Sequence, residues 1–418
     1  MTLEHGIAKN KTQFLHQLLQ VLLVGLTLGM MRTVIPVLAS SEFGVPRQSF
    51  LLLSTFVIAF GVVKGVLNFV AGALAERLGR KLVLLVGWLV AVPIPFMVWA
   101  AHDWSWIVAA TVLLGVNQGL TWSITQTSKL DLTRMDERGL TIGLNEFAGY
   151  AGVALAGVLT AYLAAWLGAR DALLLFGLCV IVAALLLASL GIKETLPWAR
   201  AEAQARRDSV LNKSTTLSAG EVFVLMSWRD RHLFALCQAG LVEKFVDALV
   251  WIFYPVFLTQ QGLSLPDTAW VISVYGFVWG GSQLFTGRLS DRIGRHKLNV
   301  AGMWICGLGV LMMMLATGVG WWAFSAAVSG WGMALLYPNL SAAVADLARA
   351  EWRASAIGIY RFWRDLGYAV GALAIGLTAV MTGYVESAFW LVAFAMFISG
   401  VILALLGEET HPNLRAAT

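Results

Sequence analysis

The sequence has 418 residues, of which 59% are hydrophobic and only 13% are charged, about half the charged fraction of an ordinary soluble protein. Its apolar residues fall into runs of roughly 20, the length at which a helix crosses a bilayer. These runs lack the two-residue alternation of a membrane barrel. The composition therefore excludes a soluble globular protein and predicts an all-α membrane protein. The net charge of +5 does not indicate nucleic-acid binding, because the basic residues follow the loops between the apolar runs.

The apolar runs predict twelve transmembrane helices in two groups of six. An N-terminal six-helix bundle is predicted for residues 1–192 and a C-terminal six-helix bundle for residues 233–418. Between them lies a hydrophilic linker, residues 193–232, whose end at Leu217–Trp228 resembles a short amphipathic helix at the membrane surface. The predicted spans are residues 14–38, 50–71, 82–101, 104–127, 140–166, 171–191, 233–259, 268–286, 298–317, 321–344, 356–380 and 386–406.

Lysine and arginine determine the predicted orientation. They are concentrated at the N-terminus, in the loops after spans 2, 4, 6, 8 and 10, and at the C-terminus, whereas the loops on the other side hold only Arg47 and Arg170. Because basic loops stay on the cytoplasmic side, both termini are predicted to be cytoplasmic. The chain is expected in the plasma membrane, which is the inner membrane in a bacterium. The first run is too long for the apolar segment of a signal peptide, so it is interpreted as an uncleaved helix.

A short basic loop occurs twice along the chain. Residues 72–81 read GALAERLGRK, and residues 287–297, at an offset of 215, read GRLSDRIGRHK. A register kept over much of six spans indicates two parallel six-helix repeats, which is a transporter architecture. The same offset maps Gly61 onto Gly276, Asn68 onto Gln283, Gly115 onto Gly330, Asp131 onto Asp346, Arg138 onto Arg353 and Glu194 onto Glu409.

These residues resemble the major facilitator superfamily, and the resemblance covers essentially the whole chain. The repeated loop is similar to that family's motif G-x-L-x-D-R-x-G-R-K, which lies between helices 2 and 3 and again between helices 8 and 9. The resemblance implies a twelve-helix transporter whose loops help to lock the cytoplasmic gate, with the acid of each loop facing a neighbouring helix end. Glu76 stands where the motif has Asp, which keeps the charge but changes its reach. The implied gate residues are Gly72, Glu76, Arg77, Gly79, Arg80, Gly287, Asp291, Arg292, Gly294 and Arg295.

The resemblance to the drug:proton antiporters of the superfamily is partial. Gln118 and Gly119 match part of their helix 4 pattern, but Gly115 stands where those proteins have an arginine. Their helix 5 motif ends in a Gly-Pro pair, whereas the corresponding helix here has glycines and no proline. The coupling mechanism of that subfamily therefore does not transfer directly to this sequence.

Nine charged side chains lie inside the predicted spans, away from the span ends. At about 2.5–3.5 kcal/mol each on insertion scales, they would cost on the order of 20–30 kcal/mol in lipid, so they are expected to face protein or water. Spans 3, 6, 9 and 12 contain none of them, in agreement with the outer supporting helices that the resemblance implies. The nine are Arg32, Lys64, Glu146, Glu243, Lys244, Asp247, Arg361, Arg364 and Asp365.

Helical spacing places many of these charges on faces shared with aromatic and amide side chains. Such faces predict a central cavity with aromatic walls and fixed charges, suited to an amphipathic solute. From their depths in the membrane, and because the resemblance implies that spans 2 and 11 touch, Lys64 is expected to pair with Asp365. By depth, Arg32 is expected to face Asp247 across the cavity. The predicted cavity residues are Arg32, Lys64, Asn68, Trp122, Asn145, Glu146, Glu243, Asp247, Trp251, Tyr275, Trp279, Tyr337, Tyr360, Arg361, Arg364 and Asp365.

The pattern favours a secondary active transporter that moves a small amphipathic organic solute by alternating access, with proton-coupled export as the first hypothesis. Uptake or exchange of an organic anion is the alternative, and a membrane receptor or scaffold without transport is a third. A carboxylate that gains or loses a cationic partner changes its affinity for protons, so Glu146, Glu243, Asp247 and Asp365 are the candidates for proton coupling. An enzyme is not expected, nor are a cofactor, a metal ion or a nucleic-acid partner. The expected partners are the solute, protons and the lipid bilayer, with the protein a monomer.

Overall fold

The computed structural model describes residues 3–43, 50–209 and 217–415, and within these ranges the chain is helical with no β-strand. Arg47, one of the two basic residues of the predicted outer loops, lies outside them. The helices before the linker are α1 (Lys11–Ser41), α2 (Phe50–Leu78), α3 (Arg80–Ala91), α4 (Pro93–Trp99), α5 (Trp104–Leu132), α6 (Arg138–Leu167) and α7 (Ala169–Leu186). The linker contains α8 (Leu196–Ser209) and α9 (Ala219–Val224). After it come α10 (Arg231–Gln260), α11 (Leu265–Ile293), α12 (His296–Met312), α13 (Val319–Leu347), α14 (Arg353–Thr382), α15 (Glu386–Leu406) and α16 (Pro412–Arg415).

Twelve long helical segments correspond to the twelve predicted spans. Within the described ranges, nine are long and apolar enough to cross a membrane by length and composition alone, and α10, α11 and α12 occupy the positions of predicted spans seven to nine. The third span is not one helix, because it divides into α3 and α4 at Val92. Pro93 and Pro95 follow directly, and a proline removes a backbone donor and crowds the preceding turn.

The described residues of the linker form more helix than its hydrophilic composition predicts. The amphipathic helix predicted for Leu217–Trp228 appears as α9 followed by a short π-helical turn, Leu225–Arg229. At the start of α9, the backbone N–H and hydroxyl of Ser218 donate to the carboxylate of Glu221 at 2.7 and 2.8 Å and lower the pKa of that exposed group. Helix α8 was not predicted, because its polar sequence lacks an apolar run to mark it.

Phe223 of α9 joins the two halves of the protein through an aromatic cluster. Its ring lies 5.6 Å from Phe69 of α2 and 5.6 Å from Phe362 of α14, and it stacks on Trp363 at 6.1 Å. Such offset and edge-to-face contacts contribute about 0.5–1.5 kcal/mol each beyond apolar burial. The end of the linker therefore lies across the seam between α2 and α14.

Two helix pairs form the seam between the halves, α2 against α14 and α6 against α11. We call the end of the bundle that carries the two repeated loops the basic end, and there the backbones touch. A Cβ added to Gly72 would overlap the carbonyl oxygen of Ala354, and one added to Gly287 would overlap that of Gly139. Further along α11, Gly276 faces open space. The structure is therefore closed at the basic end, whereas a Cβ added to Gly276, nearer the other end of α11, would have no neighbouring atom within 4 Å.

Candidate functional site

Each repeated loop leads into its next helix through a glycine, and a carboxylate from a distant segment of the chain caps that helix. Gly79 and Gly294 have φ of +95° and +99°, a region that favours glycine. The backbone N–H groups of Arg80 and Lys81 donate to Glu194 at 2.9 and 3.0 Å. Its repeat mate Glu409 accepts equivalent bonds at the start of α12. The carboxylates thus satisfy helix N-termini that would otherwise lack partners.

Glu409 shows how strongly these donors favour the charged form. Burial raises the pKa of Glu409, but backbone N–H groups of Arg295, His411, His296 and Thr410 outweigh that effect and leave its pKa below the ordinary value. The repeated Glu-Thr-x-Pro segments of the sequence are therefore caps for α3 and α12.

The acid of each loop caps a helix of the opposite half, as the resemblance implies. Glu76 accepts the backbone N–H of Ser355 at 2.9 Å and its hydroxyl at 2.6 Å, at the start of α14. Asp291 accepts the N–H groups of Gly139 and Leu140 at 2.9 and 2.7 Å, at the start of α6. The longer Glu76 side chain therefore reaches its helix end as Asp291 does, and each contact gains from the helix dipole.

A network of arginines and aspartates continues this symmetry. Arg80 pairs with Asp131 at 2.9 Å within the first half, and the repeat mates Arg295 and Asp346 pair within the second. The same aspartates also reach across the seam, Asp346 to Arg138 at 3.3 Å and Asp131 to Arg353 at 4.0 Å. Arg77 and Arg292, which were predicted as gate residues, are exposed at the surface of the basic end.

Glu202 of linker helix α8 lies between the two arginines that cross the seam. Its carboxylate is 2.6 Å from Arg353 and 3.6 Å from Arg138. Because Arg138 and Arg353 are repeat mates, one linker side chain serves equivalent positions of both halves. The linker therefore adds a third element to the contacts that hold the basic end closed.

In the membrane interior, the sixteen predicted cavity residues lie in one cluster between the halves, which we call the central cluster. Arg32 and Trp251 are half-buried and the other fourteen are buried. In this conformation the side chains pack against one another. The central cluster is organised around three acids with cationic or hydroxyl partners and one acid without.

Asp365 of α14 lies at the contact with α2. Its carboxylate is 3.4 Å from the Lys64 Nζ and 3.3 Å from the Arg364 Nε, and the amide of Asn68 donates to it at 2.7 Å. The Lys64–Asp365 pair predicted from depth is therefore present. Asn68 also accepts the hydroxyl of Ser123 at 2.5 Å, so it connects α5 to the seam.

Asp247 of α10 has partners other than the one expected. Lys244 pairs with it at 2.6 Å, and the hydroxyls of Tyr275 and Tyr368 donate to it at 3.0 and 3.1 Å. Arg32 instead lies over the ring of Trp251, 3.3 Å from its centroid. Depth alone could not distinguish these contacts, because a lysine one turn away and two tyrosines reach the same carboxylate.

Glu146 of α6 accepts hydrogen bonds from Trp122 at 3.1 Å and from Asn145 at 2.8 Å. Its other partner is Arg361 of α14, with Nη1 3.7 Å from the carboxylate. Arg361 also donates to Gln126 at 2.8 Å. Glu146 and Arg361 occupy equivalent positions of the two repeats, so this ion pair lies where the halves face each other.

Tyr150 joins the aromatic walls of the two halves and was not among the predicted residues. Its ring centroid lies 4.2 Å from that of Trp279 and 5.6 Å from that of Trp122, and its hydroxyl donates to that of Tyr337 at 2.9 Å. The signal was present in the sequence, since Tyr150 follows Glu146 by four residues and therefore shares its helix face.

Glu243 and Lys129 stand apart from these pairs. Both carboxylate oxygens of Glu243 lack a hydrogen-bond partner among the described residues, although the side chain is fully buried. Lys129 was assigned to a loop, but it lies within α5, fully buried, with its Nζ donating to the carbonyl of Gln17 at 3.0 Å. Its spacing from Trp122 and Gln126 could have placed it on their face.

Two six-helix halves joined by a linker and enclosing buried ionic groups define a multi-pass membrane transporter. The sequence model of the family described as Major Facilitator Superfamily matches residues 18–242 and 236–418. The chain belongs to the major facilitator superfamily of transporters.

Its relatives carry transporter names at low identity. An uncharacterised transporter of the same type from Salmonella typhimurium is 24% identical over 326 residues, which cover 78% of this chain and 76% of that protein. Multidrug resistance protein 2 of Bacillus subtilis is 28% identical over 187 residues, or 44% of this chain and 47% of that protein. A citrate exporter of Aspergillus niger is 26% identical over 188 residues, or 44% of this chain and 36% of that protein.

Two solved structures share the fold. The human organic anion transporter MFSD10 aligns with a TM-score of 0.74 at 19% identity, over 94% of this chain and 98% of that one. The proton:xylose symporter XylE aligns with a TM-score of 0.76 at 16% identity, over 98% and 99% of the two chains. At these identities the likeness establishes the all-α fold of the family.

Proposed function

We propose that this protein is a secondary transporter that moves a small amphipathic organic solute by alternating access, coupled to protons and working in the direction of export. The observation that carries the proposal is the central cluster, where buried charges and aromatic rings from both halves meet. The multidrug and citrate exporters among the relatives support the export direction. The distribution of basic loops supports a cytoplasmic basic end, with both termini on that side. The bacterial relative from Salmonella typhimurium supports the inner membrane of a bacterium, where we propose that the protein is a monomer.

Glu243 is the acid we assign first to proton coupling. Glu146, Asp247 and Asp365 each have at least one cationic partner within 4 Å, whereas Glu243 has no hydrogen-bond partner in the described residues. An ionised carboxylate buried without a partner costs several kcal/mol, so Glu243 is the acid for which binding a proton removes the largest penalty. Lys244 and Asp247 from its own helix, Arg364, Asp365 and Tyr360 from α14, and Cys306 from α12 surround it within electrostatic range.

A second candidate is uptake or exchange of an organic anion. It is favoured by the charge balance in and beside the central cluster, where the four cations of the cluster and the adjacent Lys244 outnumber four acids. A solute anion that enters the cell together with a proton would use the same cations and acids, but the solute would move inward rather than outward.

Transport by everted membrane vesicles with an imposed pH gradient tests the proposal. Solutes are drawn from a growth-inhibition panel that compares cells with and without the protein. We expect solute-dependent collapse of the gradient, which Glu243→Gln abolishes. The control is Glu221→Gln, which changes an exposed acid of the linker.

The direction of proton flow decides between the two candidates. Proton movement opposite to the solute supports export by exchange, and movement with the solute supports anion uptake. If no solute of the panel changes the gradient in vesicles with the wild-type protein, or if Glu243→Gln transports with unchanged coupling, the proposed proton coupling is wrong.

A further inference from the structure

The central cluster contains two guanidinium groups whose bonding capacity is largely unused. Arg361 and Arg364 lie three residues apart on α14, and both are fully buried. Among the described residues, the Nε and Nη2 of Arg361 and the Nη1 and Nη2 of Arg364 have no hydrogen-bond partner. Buried donors in folded proteins are nearly always paired, and an unpaired donor on a charged group costs more than a neutral one.

When Glu243 carries its proton, positive charge exceeds negative charge around these arginines. Asp365 lies within electrostatic range of Lys64, Lys244, Arg361 and Arg364. Lys244 already pairs with Asp247 at 2.6 Å, and Arg361 approaches Glu146 only to 3.7 Å. One aspartate therefore serves Lys64 and Arg364 together, at 3.4 and 3.3 Å. A further negative charge beside the arginines would reduce repulsion among four cations.

The chemistry of the free donors selects a kind of anion. A guanidinium presents its N–H groups in a planar fork that matches the two oxygens of a carboxylate, or two oxygens of a sulfonate or phosphate ester. Residues three apart on a helix lie on the same side, and the two guanidinium groups are within electrostatic range of each other, so both forks are available to one anionic group.

The walls next to the arginines are aromatic. The Arg364 guanidinium lies 4.5 Å from the ring centroid of Tyr337, and that of Arg361 lies 5.8 Å from Trp122. The Tyr150 ring lies between those of Trp122 and Trp279, tilted against both, and its hydroxyl donates to that of Tyr337. An apolar or aromatic body attached to the anion would therefore contact rings from both halves.

We propose that Arg361 and Arg364 form the binding site for the anionic group of the transported solute, so that the solute class is an amphipathic organic anion. The proposal rests on the proposed transport function but does not depend on its direction. Occupation of the site joins the anion to α14, while the aromatic body reaches α5 and α6 of the other half.

Binding to the purified full chain in lipid nanodiscs, without any gradient, tests the site. The probes are 2-naphthoate, its sulfonate analogue naphthalene-2-sulfonate, and the neutral isostere 2-naphthamide, followed by intrinsic tryptophan fluorescence and by thermal stabilisation. We expect both anions to bind, and 2-naphthamide to bind at least about tenfold more weakly.

The arginine variants provide the second comparison. Arg361→Gln and Arg364→Gln should each weaken 2-naphthoate about tenfold or more and leave 2-naphthamide unchanged, since only the charged fork is lost. Arg361→Lys and Arg364→Lys keep the charge and are expected to lose less. Arg134→Gln, which changes an exposed arginine paired with Asp136, is the matched control. Size-exclusion profiles and unliganded melting temperatures identify any variant that does not fold, and the lysine variants then decide.

Three outcomes would overturn the site: equal binding of naphthoate and naphthamide, unchanged naphthoate binding in all arginine variants, or no binding of either anion to the wild-type protein. Anion binding without proton-coupled transport would leave the site intact and refute the coupling. Transport of solutes irrespective of their charge would refute the site and leave the transport function intact.

Discussion

The basic end and the central cluster differ in how they use the duplicated sequence. At the basic end, repeat mates make equivalent contacts: Glu76 and Asp291 cap helices of the opposite half, and Asp131 and Asp346 each bind two arginines. In the central cluster, repeat mates differ in chemistry. Asp365 corresponds to Tyr150, and Lys64 corresponds to Trp279. A closure that engages both halves keeps its symmetry, whereas a site that orients an asymmetric solute loses it.

The largest expected effect is that of a substitution at Asp365, whose repeat mate Tyr150 should be far less sensitive. Asp365→Asn leaves Lys64 and Arg364 as buried cations without their carboxylate, so we expect a loss of about 3–5 kcal/mol of stability and loss of transport. The repeat mate substitution Tyr150→Phe removes one hydroxyl contact and should cost about 1 kcal/mol. Thermal unfolding in nanodiscs and vesicle transport measure both. Similar losses from the two variants would contradict the asymmetry of the central cluster.

The next effect concerns the glycines of the closed end. Gly72→Val and Gly287→Val place a side chain against the backbone of the opposite half, so both should open the basic end to a similar extent, by about tenfold in population or ~1.4 kcal/mol. Spin labels at the exposed repeat mates Leu78 and Ile293 report the distance across this end in a background without native cysteines. A shift in only one of the two variants would show that the two halves do not contribute equally.

A smaller effect is expected from the linker. Glu202→Ala removes the carboxylate shared by Arg138 and Arg353, and we expect a partial shift toward the open basic end in the same spin-label measurement. Both arginines keep an aspartate across the seam, which limits the effect to less than that of the glycine variants. Arg200→Ala, an exposed change on the same helix, is the control. An unchanged distance distribution in Glu202→Ala would mean that α8 does not contribute to closure.

The smallest effect sharpens the symmetry at the helix caps. Glu194→Gln and Glu409→Gln should each cost about 0.5–2 kcal/mol at neutral pH. Because the pKa of Glu409 lies below its ordinary value in the folded protein, its contribution is present above the unfolded-state pKa and is lost as the pH falls through the lower folded-state pKa. The difference in melting temperature between wild type and Glu409→Gln should therefore shrink from about pH 7 to about pH 3. A difference that stays constant with pH would argue against the charged cap.

The sequence predicted the parts of the molecule that repetition and burial determine. The twelve spans and the all-α fold follow from the apolar runs. The acids Glu76 and Asp291 at neighbouring helix ends were implied by the family resemblance, and the Lys64–Asp365 pair followed from depth together with the helix contact that the resemblance implies. The partners of Asp247 and Arg32 did not follow, because long side chains can reach several groups at one depth. Lys129 was missed since a lysine near a span end resembles a loop residue. Helix α8 was missed because its polar sequence contains no apolar run. The contacts that Glu202 makes with Arg353 and Arg138 cannot be read from the sequence.

The Glu146–Arg361 contact has a consequence for how the two halves of the chain depend on each other. Two identical halves paired around a twofold axis would set a glutamate against a glutamate, or an arginine against an arginine, at this point. Opposite charges at mated positions can face each other only when the halves have different sequences. A homodimer of either half would therefore bury like charges together at this point. The contact requires the two different halves to be present together.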